Sequence, residues 1–482
     1  MDGQIYAQPV ELQNVLVPGK GQHNVVYVAT ENDSVYAFDA DGKTGNNANP
    51  LWHDVFINPA KGITPIPSSD VGTMMIYPQI GITSTPVIDM SSGTLYVVAA
   101  TKENGAYLQR LHALDVTSGA EKFGGPVVIQ ASVAGDGWGA INGKVYFDPL
   151  RNNQRAALLL ANETVYIAWA SYGLEDVHQY HGWAMGYDAR TLQQLGAFCT
   201  TPNGKQGGIW QGGGGIAADA DGNLFFLTGN GTFDANRGGL DYGMTYVKIS
   251  PSIGVVDYFT PYNEASLSGM DMDFGSGGPL LLPDQSGAAH PFLAVGAGKS
   301  GVIYLVDRTK MGGFNRSQNQ NLETIPNALA GHALVATPAY FAEKLYFGAA
   351  NDVLRILQIT NGLIVSTPIA TSNVDFPFPG ATPVISANGS ADGIVWMLQF
   401  NSNGGSQGYG GPGTLFAFNP VTAALLYSSD QAGRRDMPPS SIKFATPTVA
   451  NGKVYFGTAS ELDVFGLLSQ RASTSEAHLG AN

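Results

Sequence analysis

One cysteine, Cys199, stands among 482 residues, so no disulfide forms within the chain and no cysteine-rich metal site is built. It reads as a small buried hydrophobe. Charge is scarce as well. Charged residues make up 13%, and 24 Lys and Arg against 38 Asp and Glu leave a formal charge of −14. That balance excludes nucleic acid and anionic membrane as partners, since both demand a basic surface, and it tolerates neutral sugars or alcohols. No apolar run approaches the about 20 residues that a membrane-spanning helix takes. Helical periodicity is almost absent too. What the chain has instead is glycine, 62 residues of it, with 44% hydrophobic and 10% aromatic residues. Many short strands joined by tight turns around a large core fit that composition. The opening MDGQIYAQPV enters a first strand at once, as if a leader had been removed, and a Gly- and Asn-rich, Lys-poor chain reads as periplasmic or extracellular.

A unit recurs eight times. A small lead-in, often [ST]-x-P or Gly-rich, precedes an apolar run, then a hydrophobic-aromatic strand, then a second strand ending near Asp-x-x-[TS]-G. Examples are TSTPVID with GTLYVVAAT and RLHALDVTSG, or ATPAYFAEKLYFGAAN with VLRILQITNG. The equivalent strand positions are Tyr27, Tyr96, Tyr166, Phe225, Leu293, Tyr346, Trp396 and Tyr455, about 50 to 70 residues apart. About four short strands per unit at that period predict an all-β, eight-bladed β-propeller with four-stranded antiparallel blades. The last unit lacks an outer piece that YAQPVEL at the start is placed to supply, closing the ring between N- and C-terminal strands. Residues 1–468 then form one domain and 469–482 a polar tail. Two insertions, Trp52 to Tyr77 and Gly135 to Asn153, break the rhythm; they wall a site or decorate the rim.

Chemistry concentrates around Gly207 to Asp234, GGIWQGGGGIAADADGNLFFLTGNGTFD. Glycines there let the backbone approach a flat or charged group, Trp210 offers an aromatic face, and Asn230 a neutral oxygen for a hard cation. The same residues also suit a core Trp and a tight turn. Asp271 and Asp273 either turn a strand entrance or form a site, and Lys299 is a site cation or a solvated loop charge. His178 and His181 are polar lining, a metal pair or an acid/base group. Glu31-Asn32-Asp33 reads as a hairpin turn, and His112 as a satisfied structural histidine.

Eight such repeats resemble the propeller of the pyrroloquinoline quinone (PQQ) dependent alcohol dehydrogenases, with site-like motifs in units three to five. GGIWQGGGG and FFLTGNGTFD are similar to the family's segments, which implies Trp210 as the floor under the quinone and Asn230 as a Ca²⁺ ligand. SGMDMDFGSGGPLLL is similar to the acidic motif that carries the base and implies Asp273, with Asp271 beside it. GAGKSGVIYLVDRT implies Lys299 as the cation on the quinone oxygens. The family's Glu ligand falls on Glu175 in a shifted register, and His178 and His181 stand where the family has Gly and Arg. The adjacent cysteines that cover the family's quinone have no counterpart.

The resemblance thus implies a quinoprotein-like oxidoreductase acting on an alcohol or sugar hydroxyl with PQQ and Ca²⁺. On that reading Asp273 is the base, Trp210, Lys299 and Asn230 hold the cofactor, and Asn230 with Asp273, Asp271 or Glu175 the metal, while His181, Asp271 and Asp273 carry proton transfer if the mouth instead serves a carbohydrate-active enzyme. Two other readings fit the same fold: a cofactor-free propeller used for binding or scaffolding, and a carbohydrate-active lyase or hydrolase using the same mouth.

Overall fold

The computed structural model describes residues 1–173, 177–402 and 408–467. Its sheets form an eight-bladed β-propeller, the blades beginning at Val10, Val87, Leu159, Ala217, Leu280, Ala339, Val384 and Thr448. Neighbouring strands pair antiparallel, in chain order within most blades. In the sixth, Ala370–Phe376 takes the fourth place; the eighth has three strands among the described residues, Thr448–Ala450, Lys453–Gly457 and Leu462–Gly466. No helix among the described residues is long and apolar enough to cross a membrane.

The repeat is legible in the register. The first residue of each inner strand lies opposite one residue of the next strand: Val10 on Tyr27, Val87 on Tyr96, Leu159 on Tyr166, Ala339 on Tyr346 and Thr448 on Tyr455. In the fifth blade that place belongs to Val295, opposite Leu280, two residues beyond the expected Leu293. These positions hold neighbouring blades together. Tyr27 Oη donates to the Val116 carbonyl at 2.9 Å, Tyr96 to Ala189 at 2.6 Å and Tyr346 to Pro420 at 2.8 Å. Each acceptor follows the Asp or Asn that opens the next blade's turn, where Asp115 and Asp188 fold back to accept a Thr backbone N–H. The repeated Asp- or Asn-led turn is therefore also a docking point. Apolar surface is buried between adjacent sheets: Tyr96, Val98 and Leu111 of one blade pack with Val165, Trp169 and Trp183 of the next.

Ring closure differs from the expectation for YAQPVEL. Val10 to Leu12 pair with Tyr27 to Val25 inside the first blade. Pro9 has no N–H and cannot carry the ladder upstream. Residues 1–8 run along the last blade instead, with Ile5 N donating to the Thr458 carbonyl at 3.1 Å and Gln8 Nε2 to Pro447 at 2.9 Å. Ile5 and Tyr455 share a core with Val26 and Val28, so the termini are tied by packing.

The four consecutive glycines lie where the blades converge. Gly212 N donates to the Ser276 carbonyl, Thr337 Oγ1 donates to Gly212, and Ala157 N donates to Gly214. A segment that meets the lead-ins of three separate blades runs across the ring's centre. A methyl at Gly213, whose φ is +70°, would lie 1.8 Å from Thr382 Oγ1 of a fourth lead-in. The run is glycine because the axis is crowded by backbone.

The turn Glu31-Asn32-Asp33 does more than reverse the chain. Glu31 Oε2 accepts from Gly81 N at 2.7 Å, and Asp33 Oδ1 from Ala100 N at 3.2 Å, joining blade one to the segment that follows and to blade two. Both carboxyls are buried. Burial, only partly offset by Gly81 and Thr83, pushes Glu31 up to about 7, and burial raises Asp33 as well.

Candidate functional site between blades four and five

The Gly-Asn-Gly turn that leaves strand Leu224–Leu227 meets the loop entering blade five, and that junction collects four of the expected residues. Asp273 is at its centre. One carboxylate oxygen, Oδ1, accepts the Asn230 backbone N–H at 2.7 Å, and Oδ2 takes the Lys299 ammonium at 2.6 Å. Lys299 reaches on to Asp271 Oδ1 at 2.9 Å, and the same oxygen accepts Asn230 Nδ2 at 2.7 Å. Backbone fixes the register: Lys299 N donates to the Asp273 carbonyl. Asp271 adopts φ 60°, a left-handed conformation that Asp tolerates, and so presents its carboxylate at the surface while Asp273 stays buried.

Electrostatics separate the three charges. Burial raises the Asp273 carboxyl above its ordinary range, and Lys299 opposes that shift without cancelling it. Burial pulls Lys299 down, but the Asp273 and Asp271 carboxylates outweigh it and hold the ammonium above its usual value. Lys299 therefore remains a cation between two acids. Asn230 Oδ1 is buried and accepts no hydrogen bond among the described residues, the one unsatisfied oxygen at this junction. An unpaired buried acceptor is costly, about 1–3 kcal/mol, and it marks a place for a donor or a cation.

Trp210 lies against the same turn. A Cβ at Gly229 would meet the indole at 2.5 Å and Asp273 Oδ1 at 2.3 Å, and one at Gly208 would meet the indole at 2.7 Å. Only glycine fits beneath that ring. The Tyr180 ring stands edge-on to it, centroids 6.4 Å apart. Tyr180 and Gly229 as the seat of Trp210 had no signal in the sequence beyond proximity to the motif.

His181 stands apart. Its Nδ1 is 2.9 Å from Thr201 Oγ1 and its Nε2 2.8 Å from the Trp138 carbonyl, so both ring nitrogens are engaged away from the carboxylates. Burial lowers its pKa against those two contacts. The ring ties the second insertion, through Trp138, to the entrance of blade four. Glu175 lies outside the described residues, and among those residues no group of three acidic, His or Cys side chains gathers as a metal cluster.

The fold places the chain among β-propellers. No family model matches it, and no curated protein is similar to it in sequence. Among solved structures, the quinohemoprotein alcohol dehydrogenase from Comamonas testosteroni is similar with a TM-score of 0.54 at 13% identity, covering 95% of this chain and 71% of that one. The quinohemoprotein alcohol dehydrogenase ADHIIG from Pseudomonas putida HK5 has a TM-score of 0.50 at 13% identity, covering 95% and 70%. The computationally designed Ika8 protein also has 0.50, at 10% identity, covering 97% of each chain. At such identities the likeness establishes a shared fold.

Proposed function

We propose that the chain is a periplasmic or extracellular quinoprotein-like oxidoreductase that oxidises an alcohol or sugar hydroxyl, using PQQ and Ca²⁺ at the junction of blades four and five. The observation that carries this reading is the unpartnered Asn230 Oδ1 beside Asp271 and Asp273. Hard divalent cations take neutral and carboxylate oxygens in such mixtures, so the donors present fit the ion. Quinohemoprotein alcohol dehydrogenases are among the proteins that share the fold.

PQQ beside a divalent cation supplies a two-electron acceptor for hydride. The protein's own residues supply the rest. Asn230 Oδ1, with Asp273 or Asp271, would hold the cation. Trp210 offers a flat face already fixed by Gly208 and Gly229. Asp273, buried and held above the ordinary carboxylate range by that burial, is the carboxylate placed to take the hydroxyl proton. Lys299, kept protonated, balances negative charge that develops beside it.

Dye reduction tests the proposal. Purified protein with PQQ and Ca²⁺ is expected to reduce an artificial acceptor with some member of a panel of alcohols and sugars, and Asp273→Asn to lose that turnover. Turnover of wild-type size in Asp273→Asn refutes the base assignment. No reduction with any alcohol or sugar overturns the oxidoreductase reading.

A further inference from the structure

The first insertion builds a second site. Its strand Ile63–Pro67 pairs onto blade two, Ile63 opposite Glu103 and Pro65 opposite Thr101, and so walls a cleft of about 340 Å³ between blades one and two. That volume is at the lower end of ligand pockets, about 300–1,000 Å³. Phe56, Ile63, Ala99 and Pro126 supply an apolar wall, and Asp54, Glu103, Arg110, His112 and Glu121 the polar one. None of these residues belongs to the junction of blades four and five.

The polar wall has an uneven balance. Arg110 is committed to Glu103, with Nη2 to Oε2 at 3.1 Å, and a further contact to Thr101 Oγ1 at 3.4 Å. His112 is held twice: Nδ1 lies 2.5 Å from Glu121 Oε1, and its ring stacks on Phe56 with centroids 3.8 Å apart. With the Nδ1 proton directed at Glu121, Nε2 is the ring atom left for the cleft, and in the neutral ring it is an acceptor. Three carboxylates thus line the wall with one guanidinium; Glu103 is spent on Arg110 and Thr101, whereas Glu121, bonded to His112 and at 3.4 Å to Ala113 N, and Asp54, bonded to Val55 N, keep further lone pairs for a donor. A ligand rich in N–H donors, positively charged and carrying a short apolar chain matches such a wall; an anion is repelled by it.

We propose that this cleft is a binding site for a small organic amine, its ammonium held by Glu121 and Asp54 beside His112 and its carbon chain against Phe56, Ile63 and Pro126. The inference stands independently of the quinone reading. Calorimetric titration of the full chain with 1,4-diaminobutane and butylamine, against 1-butanol and butyrate, tests it. The amines are expected to bind and the alcohol and acid not to. Glu121→Gln and Asp54→Asn should each weaken amine binding about tenfold, the loss of one charge partner at a partly exposed site. Ile63→Lys places a tethered ammonium at the wall and should abolish binding with the fold retained. Asn230→Ala should leave amine binding unchanged. Absence of amine binding at millimolar concentration, equal binding of 1-butanol, or unchanged affinity in Glu121→Gln, Asp54→Asn and Ile63→Lys overturns the proposal.

Discussion

Replacing Lys299 by Met keeps the aliphatic stem and removes the ammonium from between Asp271 and Asp273. Asp273 is 4% exposed in its side chain, so its carboxylate is left in a buried site with one hydrogen bond, from Asn230 N. Breaking a buried ion pair on one side costs about 3–5 kcal/mol. Lys299 is 29% exposed, and water entering the vacated space brings the figure to the lower end, about 3 kcal/mol. The exposed Asp271 contact adds little. The cost depends on pH with a definite sign. Asp273 already has a raised pKa, and without Lys299 it rises further. The penalty is therefore full at alkaline pH and disappears as pH falls and the carboxyl protonates. Urea unfolding of wild type, Lys299→Met, Asp273→Asn and the double variant measures it. The coupling energy of the cycle is expected to be about 3 kcal/mol at pH 8 and to shrink as pH falls and the carboxyl protonates. Additivity at pH 8 would falsify the ion pair as described.

Glu31→Gln keeps an acceptor for Gly81 and Thr83. The folded value of about 7 against an ordinary 4.5 means that the unfolded chain ionises first, so the native Glu31 loses stability as pH rises between those values. The difference is about 3 kcal/mol, and the variant's unfolding free energy should lack that slope; identical pH profiles contradict it. Gly213→Ala meets Thr382 Oγ1 with an unfavourable φ and should cost about 3 kcal/mol in urea unfolding, part of it recovered by adding Thr382→Ala. Tyr96→Phe removes the bond to Ala189 and should cost about 1 kcal/mol, with no effect expected on the junction of blades four and five.

Repetition made the fold legible. A strand position repeated eight times, several copies followed by an Asp- or Asn-led turn such as DVTSG, DART or NPVT, carries its own confirmation. The structure adds that Tyr27, Tyr96 and Tyr346 tie that position to the next blade's turn. Ring closure was less legible, because the packing of Ile5 against Tyr455 joins residues at opposite ends of the chain and leaves no local pattern. In the site, Asn230, Asp271, Asp273 and Lys299 come together because they occupy turns of consecutive blades, which repeat alignment locates. His181 stands apart from these, held by Thr201 just past the last strand of blade three and by Trp138 of an insertion without a counterpart in other units. The glycine run looked like room for a ligand. Its hydrogen bonds to distant lead-ins show that close backbone packing produces the same composition. His112 is held as a structural histidine would be, by Glu121 and Phe56, and the cleft beside it depends on an insertion whose pairing no local sequence signal announces.

The most direct test of the proposed site is an absorbance titration of PQQ into the purified chain, with and without Ca²⁺. The account predicts a quinone spectral change that saturates at micromolar PQQ, requires Ca²⁺, and is lost in Asn230→Ala, which removes the unpaired oxygen. No spectral change in the wild type, or the same Ca²⁺-dependent change in Asn230→Ala, contradicts it.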